Sequence, residues 1–357
     1  MKVERILCYP IKALREVDLD SVEVTKHGFP HDRRFLLLHV EHNEGKTTYK
    51  NIHIGHYPQS ALFFPALDTS ADLIRVTYNP PKGTNASPST LDIPLRPFVD
   101  DRQIINVEMH KSPTKAYLMD QPHHDWFTQH YGINVVLAYL GPHYRPVLMS
   151  STLNGPAPPL PSKNPQSTSW LTTLSTSILG PSPPPHQVTF SDCAPYLIAS
   201  SRSMDDIHPR LPPTTTDPMR IEKFRPNIII SGAPQPWDED YWGEITIGEH
   251  GTQSEVKIEC IHNCGRCKSI NIDFATGAPG EGASGQVLKL LQRDRRVDPG
   301  MKYSPIFGRY SFLGKGCEGR VVRVGDEVVV SRRIEERTKF GEFCSFSFFL
   351  SFIHSFH

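Results

Sequence analysis

Cys264 and Cys267 stand three residues apart in "CGRC", with Arg266 between them and Cys260 and His262 just upstream. Four soft or borderline ligands within eight residues admit several chemistries. Structural zinc usually takes two separated ligand pairs that fold the intervening chain around the ion. Here Cys260 and His262 would share one strand face, and no second pair follows elsewhere. A thioredoxin-like redox pair needs its cysteines at a helix N-terminus in a βαβ setting. The following "SINIDFATG" (269–277) reads instead as a strand and a turn. Two buried cysteines near a turn is the plainest reading, and Arg266 weighs against it. A guanidinium between two thiols lowers a thiolate pKa and offers a bidentate anchor for phosphate. A thiolate beside an anion clamp suits an anionic cofactor that carries a soft metal.

Other cations stand at marked positions. Lys12 in "YPIKAL" follows a strand-like start, Arg33 in "GFPHDRRF" heads a strand, and Arg225 and Asn227 in "FRPNIIISG" precede another. Each alone reads as a solvated surface charge. With "CGRC" and "SPIFGRY" (304–310) they form an ordered set.

The elements that must position this set are mainly β-strands. Strand-type residues occupy 21–25, 33–40, 73–79 and 134–140, then 227–232, 244–248, 254–260 and 319–330, broken by Gly, Pro and Asp. The "VRVGDEVVV" run (322–330) has the look of a strand–turn–strand near a barrel's end. Helices are expected over 123–132, closed by Gly132, and over 285–296, with Val287, Leu288, Leu290 and Leu291 on one face. Between the strand-rich halves, 155–187 holds nine of the 33 prolines with many Ser and Thr, a composition that cannot pack a core. It reads as a flexible insert, with a docking motif for a proline-reading domain as the alternative. The fold class is therefore mainly β with few helices. The expected organisation is an N-terminal β-barrel domain over 1–145, an insert over 146–188, a second barrel-like domain over 189–334 and an atypical tail over 335–357.

At 357 residues with 38 basic and 38 acidic side chains, the chain has no net pull toward nucleic acid or acidic membranes, so any anion site must be local. Seven cysteines, scattered outside 260–267, do not form a disulfide framework and favour a reducing compartment. "MKVERILCYPIKAL" has no apolar signal region, and no transmembrane segment is expected. A cytoplasmic monomer is the expected state. The tail holds six of the 18 phenylalanines within 343–356 and reads as an accidental terminus or a weak membrane-surface anchor.

The ordered motifs resemble those of the MOSC proteins, an N-terminal MOSC-associated β-barrel followed by a MOSC domain, over residues 3–334. Within that group they resemble the branch of the mitochondrial amidoxime-reducing component. "YPIK", "GFPHDRRFLLL", "SDCAPYLIASSRSMDDI", "FRPNIIISGAPQPWDEDYW", "CGRC" and "SPIFGRY" match the family's motifs in order. The resemblance implies a molybdenum cofactor whose metal is held by Cys267. It places Lys12, Arg33, Ser203, Arg225, Asn227 and Arg266 around the pterin and its phosphate. One departure is Ala13, where many relatives carry a serine; another is that the insert and the Phe-rich tail have no family counterpart. The implied activity is reduction of the N–O bond of N-hydroxylated substrates, with electrons from a small b-type haem protein and its flavin reductase. Mitochondrial association is implied by the same analogy. The rival reading is a cofactor carrier or a sulfur-transfer protein working through a persulfide on Cys267. Pyridoxal phosphate belongs to that setting only as a family association, since a chain of this length is expected to leave no room for such a domain. An inactive variant, suggested by the tail, is a third reading.

Overall fold

The computed structural model describes residues 1–43, 45–81, 83–147, 186–212 and 219–340. Nearly all of the proline-rich insert, and the tail from 341 onward, lie outside the described residues.

The molecule is mostly β. The largest sheet has eight strands, in the order Val17–Leu19, Lys2–Cys8, Ile228–Ser231, Tyr196–Ser200, Ile306–Leu313, Val256–Gly265, Trp242–Ile247 and Val328–Arg333. Its ends meet: Lys2 bridges Glu327, and Val328 N donates to Met1 O at 2.9 Å. A sheet that closes in this way leaves few unpaired edge groups. Period-two alternation decides what fills it. Ile228 and Ile230 join Ile6, Ile198, Trp242, Ile245 and Ile258 in one core, while Ile229 packs behind with Leu7 and Tyr9.

A five-stranded antiparallel sheet runs Lys46–Asn51, Phe35–Asn43, Val135–Tyr139, Ser112–Leu118, Ile104–Met109, and a three-stranded one runs Phe63–Asp68, Leu73–Tyr78, Ser89–Pro94. Phe35, Leu37, Phe63, Ile74, Val76, Val135 and Leu137 make their shared core. The helix Gln121–Tyr131 closes that core with Phe127 and Tyr131 and ends, as its sequence predicts, on Gly132 in the left-handed conformation (φ 68°).

Sequence halves and spatial halves do not coincide. Strand Lys2–Cys8 pairs antiparallel with Ile228–Ser231 and so serves the large sheet. One local expectation needs correction. The helix expected over 285–296 is a short one, Val287–Leu291, after a 3-10 turn Ser284–Gln286. Beyond it, Arg295 turns inward and pairs with the buried Asp240 at 2.9 Å. The strand–turn–strand read over 322–330 is present, and its two strands take different partners: Val321–Arg323 pairs with Ser21–Glu23 and Val328–Arg333 with Trp242–Ile247. Residues 335–340, at the start of the expected tail, pack against the fold. Arg337 Nε donates to Asp240 at 2.8 Å, Thr338 O accepts from Asn263 Nδ2 at 2.8 Å, and Phe340 is 1% exposed. A side chain on Gly300 would meet the Phe340 carbonyl oxygen at 2.2 Å, which is why glycine stands there.

Candidate functional site

The sequence motifs dock onto one another. Asp32 Oδ1 accepts from Tyr9 N at 2.8 Å, and Arg33 N donates to Tyr9 O at 2.7 Å, so "HDRR" fixes "YPIK". Lys12 N donates to Phe35 O at 2.9 Å, at the head of the next strand. From the other half, Phe224 of "FRPN" stacks on Phe307 of "SPIFGRY" at 3.8 Å. Arg266 of "CGRC" touches both motifs: its Nη2 donates to Phe224 O at 2.8 Å and its N to Pro305 O at 2.8 Å. Finally, Arg33 Nη2 donates to Arg225 O at 3.2 Å and joins the two halves.

These contacts enclose a cavity of about 720 Å³. Its walls carry six Lys or Arg residues (Lys12, Arg33, Arg225, Arg266, Lys268, Lys289) against a single carboxylate, Asp192. In a chain with zero formal net charge, that is a local concentration of positive charge. Burial, and the like charge of Arg33, push the Arg225 guanidinium down. Against burial, the Cys264 and Cys267 sulfurs and Tyr310 favour the charged form of Arg266. Two guanidinium donors, Arg225 Nη2 and Arg266 Nε, are buried with no hydrogen-bond partner among the described residues. A buried unsatisfied donor costs about 1–3 kcal/mol, so these two fit an anionic group that the protein chain itself does not supply.

Backbone conformation supports the same place. Of seven non-glycine residues with positive φ among the described residues, four line this cavity: Ala13 (76°), Arg33 (49°), His110 (51°) and Arg225 (58°). Left-handed backbone costs roughly 1–2 kcal/mol per such residue, and such strain concentrates at functional sites.

The two cysteines of "CGRC" differ. Cys264 is 2% exposed, its sulfur accepts from Arg266 Nη1 at 2.8 Å, and burial pushes its thiol up although Arg266 opposes the shift. Cys267 is only half-buried, at the start of the 3-10 turn Lys268–Asn271, with Ser269 Oγ 3.2 Å from its sulfur. That turn replaces the strand expected immediately after "CGRC"; a two-residue strand, Ile272–Asp273, follows it. A zinc set does not assemble: Cys260 lies in the barrel core and Cys264 in a different cluster. Among the described residues no three His, Cys, Asp or Glu side chains gather as metal ligands.

Lys12, Arg33, Arg225, Asn227, Arg266 and Cys267 all line the cavity. Asn227 also ties strands together: its Oδ1 accepts from Leu197 N at 3.1 Å and its Nδ2 donates to Leu7 O at 3.2 Å. Ser203 is not among the lining residues. It is fully buried, donates to Glu239 at 2.7 Å and accepts from Trp237 N at 2.8 Å, which leaves its hydroxyl no hydrogen for a ligand. Ala13 lines the wall without a hydroxyl.

The sequence reading missed His53, His110, Asp192 and Tyr310. Asp192 and Tyr310 sit inside quoted motifs and were detectable there. His53 and His110 come from loops of the first half, and no local pattern marks them. Lys12 Nζ reaches Asp192 Oδ1 at 2.5 Å and His110 Nε2 lies 3.3 Å from the same oxygen. Against the upward push of burial, Lys12 and His110 hold the Asp192 carboxyl well below the usual range. Burial, then the Lys12 charge, lowers His53 to about 4.

The site and fold define a β protein with a cationic, thiol-bearing cavity closed by strands from both halves. Residues 1–134 match the MOSC N-terminal beta barrel domain and 185–329 the MOSC domain, so the chain belongs to the MOSC-domain proteins. The MOSC domain ties it to molybdenum-cofactor-related proteins. It is 25% identical over 366 residues to a molybdenum cofactor sulfurase of Emericella nidulans, covering 92% of this chain and 41% of that protein. It is 32% identical over 149 residues to mitochondrial amidoxime-reducing component 1 of Homo sapiens, covering 41% of this chain and 39% of that protein. The matched stretches thus span about two fifths of these relatives. Among the described residues no helix is long and apolar enough to cross a membrane.

Proposed function

We propose that the cavity binds a molybdenum cofactor and that the protein is an oxidoreductase reducing the N–O bond of N-hydroxylated substrates. The observation that carries the reading is the pair of buried, unpartnered donors, Arg225 Nη2 and Arg266 Nε, in a cationic cavity that also holds Cys267. Arg225 and Arg266 would hold the cofactor's phosphate and pterin by charge-assisted hydrogen bonds, with Lys12 and Arg33 adding charge. Asn227 ties the strands behind these groups, and the Tyr9 ring packs against the guanidinium groups of Arg33 and Arg225. The half-buried Cys267 would ligate the metal, while Cys264 keeps Arg266 oriented. When bound, the cofactor supplies two-electron redox chemistry at a soft metal. The chain's own part is to bind, orient and exclude water. Electrons would come from a b-type haem protein and its flavin reductase. The six free cysteines among the described residues fit a reducing compartment, for which we propose the cytoplasm.

A cofactor carrier or sulfur-transfer protein acting through a Cys267 persulfide is the second reading. It is favoured by the extent of relatedness, since the sulfurase match covers 92% of this chain and the amidoxime-reducing match 41%. Metal analysis of the purified protein, with pterin fluorescence after oxidation and turnover of benzamidoxime by reduced viologen, separates the two. Bound molybdenum with turnover supports the reductase. Molybdenum without turnover, or a persulfide on Cys267, supports the carrier. Zinc in place of molybdenum overturns both.

A further inference from the structure

His110 is held in the left-handed conformation, uncommon for a residue other than glycine, and it lines the cavity. Strands Ile104–Met109 and Ser112–Leu118 pair with Met109 opposite Ser112, so His110 and Lys111 form the whole two-residue hairpin loop. Their φ angles are 51° and 62°. Such a turn favours Asn-Gly, Asp-Gly or Gly-Gly, because both central residues are left-handed. Here neither is glycine, and the strained turn presents a histidine to a cavity built mainly from the other half of the chain. Its Nε2 lies 3.3 Å from Asp192 Oδ1. Lys12 binds the same oxygen, and His53 lines the same wall.

We propose that His110 is a catalytic residue that delivers a proton to the oxygen leaving an N-hydroxylated substrate in this cavity, with Asp192 positioning its Nε2 until that oxygen takes its place. The inference rests on the reductase reading. The reaction R–NHOH + 2e⁻ + 2H⁺ gives R–NH₂ and H₂O. The N–O bond breaks, two electrons arrive in two successive one-electron transfers from a haem protein donor, and the oxygen departs as water. His110 Nε2 exchanges its Asp192 partner for that oxygen and gives up one proton; the second proton, and the one that recharges the ring, come from solvent. The ring can be recharged because the His110 side chain keeps 30% exposure. The strain has a use on this view: a glycine would relax the turn and remove the acid.

Full-length wild type, His110→Gly, His110→Asn and Lys111→Gly are compared by three measurements. These are the thermal midpoint of the metal-free protein, molybdenum per chain, and turnover of benzamidoxime with reduced viologen. Both glycine variants are expected to keep or raise the midpoint, since glycine adopts left-handed φ without penalty. All three variants should hold wild-type molybdenum. Turnover should fall at least tenfold in His110→Gly and His110→Asn, and stay within twofold of wild type in Lys111→Gly. Wild-type turnover in His110→Gly overturns the inference and leaves the reductase reading standing. A lowered midpoint or lost molybdenum in both His110 variants makes the residue structural and also overturns it. A wild type with bound molybdenum and no turnover overturns the reductase reading, and the inference falls with it.

Discussion

Arg33 and Arg225, 192 residues apart, pack on the same ring: each guanidinium carbon lies 4.3 Å from the centre of Tyr9. Tyr9 is fully buried, and its backbone is pinned by Asp32 and Arg33. One aromatic platform therefore positions two cations that repel one another. Each charge-assisted bond to a bound phosphate contributes about 1.5–3 kcal/mol. Arg33→Ala and Arg225→Ala should each lower cofactor affinity by about one to two decades and leave the circular dichroism spectrum unchanged. Tyr9→Phe should retain the cofactor and Tyr9→Leu should lose it, because the ring face and not the hydroxyl carries the contact. Quantified pterin after gel filtration measures all four.

The two "CGRC" cysteines should separate by assay. Cys267→Ser should lose bound molybdenum, since its sulfur is the more accessible one. Cys264→Ser should keep most of the metal but destabilise the protein, because Cys264 is buried against Arg266. Metal content by mass spectrometry beside a melting curve distinguishes them. Equal metal loss in both would assign the ligand role to the pair.

Much of this site was legible because its motifs are short and each closes a local turn. "FRPN" ends a 3-10 turn with Arg225 left-handed, and "CGRC" opens another at Cys267. What remained hidden depends on long-range docking. Nothing near Ser203 in sequence announces Glu239, which takes its hydroxyl. Nothing near 285–296 announces Asp240, with which Arg295 pairs beyond the helix end. The first strand's alternation shows that it is a strand, not that it pairs with Ile228–Ser231. His110 is the clearest case, since only the docking of a hairpin from the first half brings it to Asp192.

Glu239 gives the stability a pH dependence. It is fully buried, and burial, then the Asp240 charge, raise its carboxyl from the ordinary 4.5 to about 7. The folded state thus holds the proton more tightly than the unfolded state, so this contribution is full below pH 4.5 and is lost as pH rises toward 7. Glu239→Gln keeps an acceptor for Ser203 and has no titration. Urea midpoints from pH 5 to 8 should fall with pH in wild type relative to the variant. Parallel curves would show that Glu239 titrates normally.

The segment 334–340 lies beyond the matched MOSC domain, yet it backs the cavity. Phe340 packs in one cluster with Ala194, Leu197, Cys264 and Tyr310, and those four line the cavity. Its N donates to Asp298 Oδ1 at 3.1 Å, and Thr338 Oγ1 accepts from Arg309 at 2.7 Å. Removal of a buried phenylalanine side chain costs about 3–5 kcal/mol, so Phe340→Ala should lower the urea midpoint markedly and loosen the cofactor. Truncation after 333 should abolish cofactor retention, since the wall behind Cys264 goes with the segment. Truncation after 340 should keep retention and raise solubility, because it removes only the Phe-rich stretch, a composition that favours association. Molybdenum per chain across the two truncations decides the matter: equal retention would mean that the cavity wall stands without this segment.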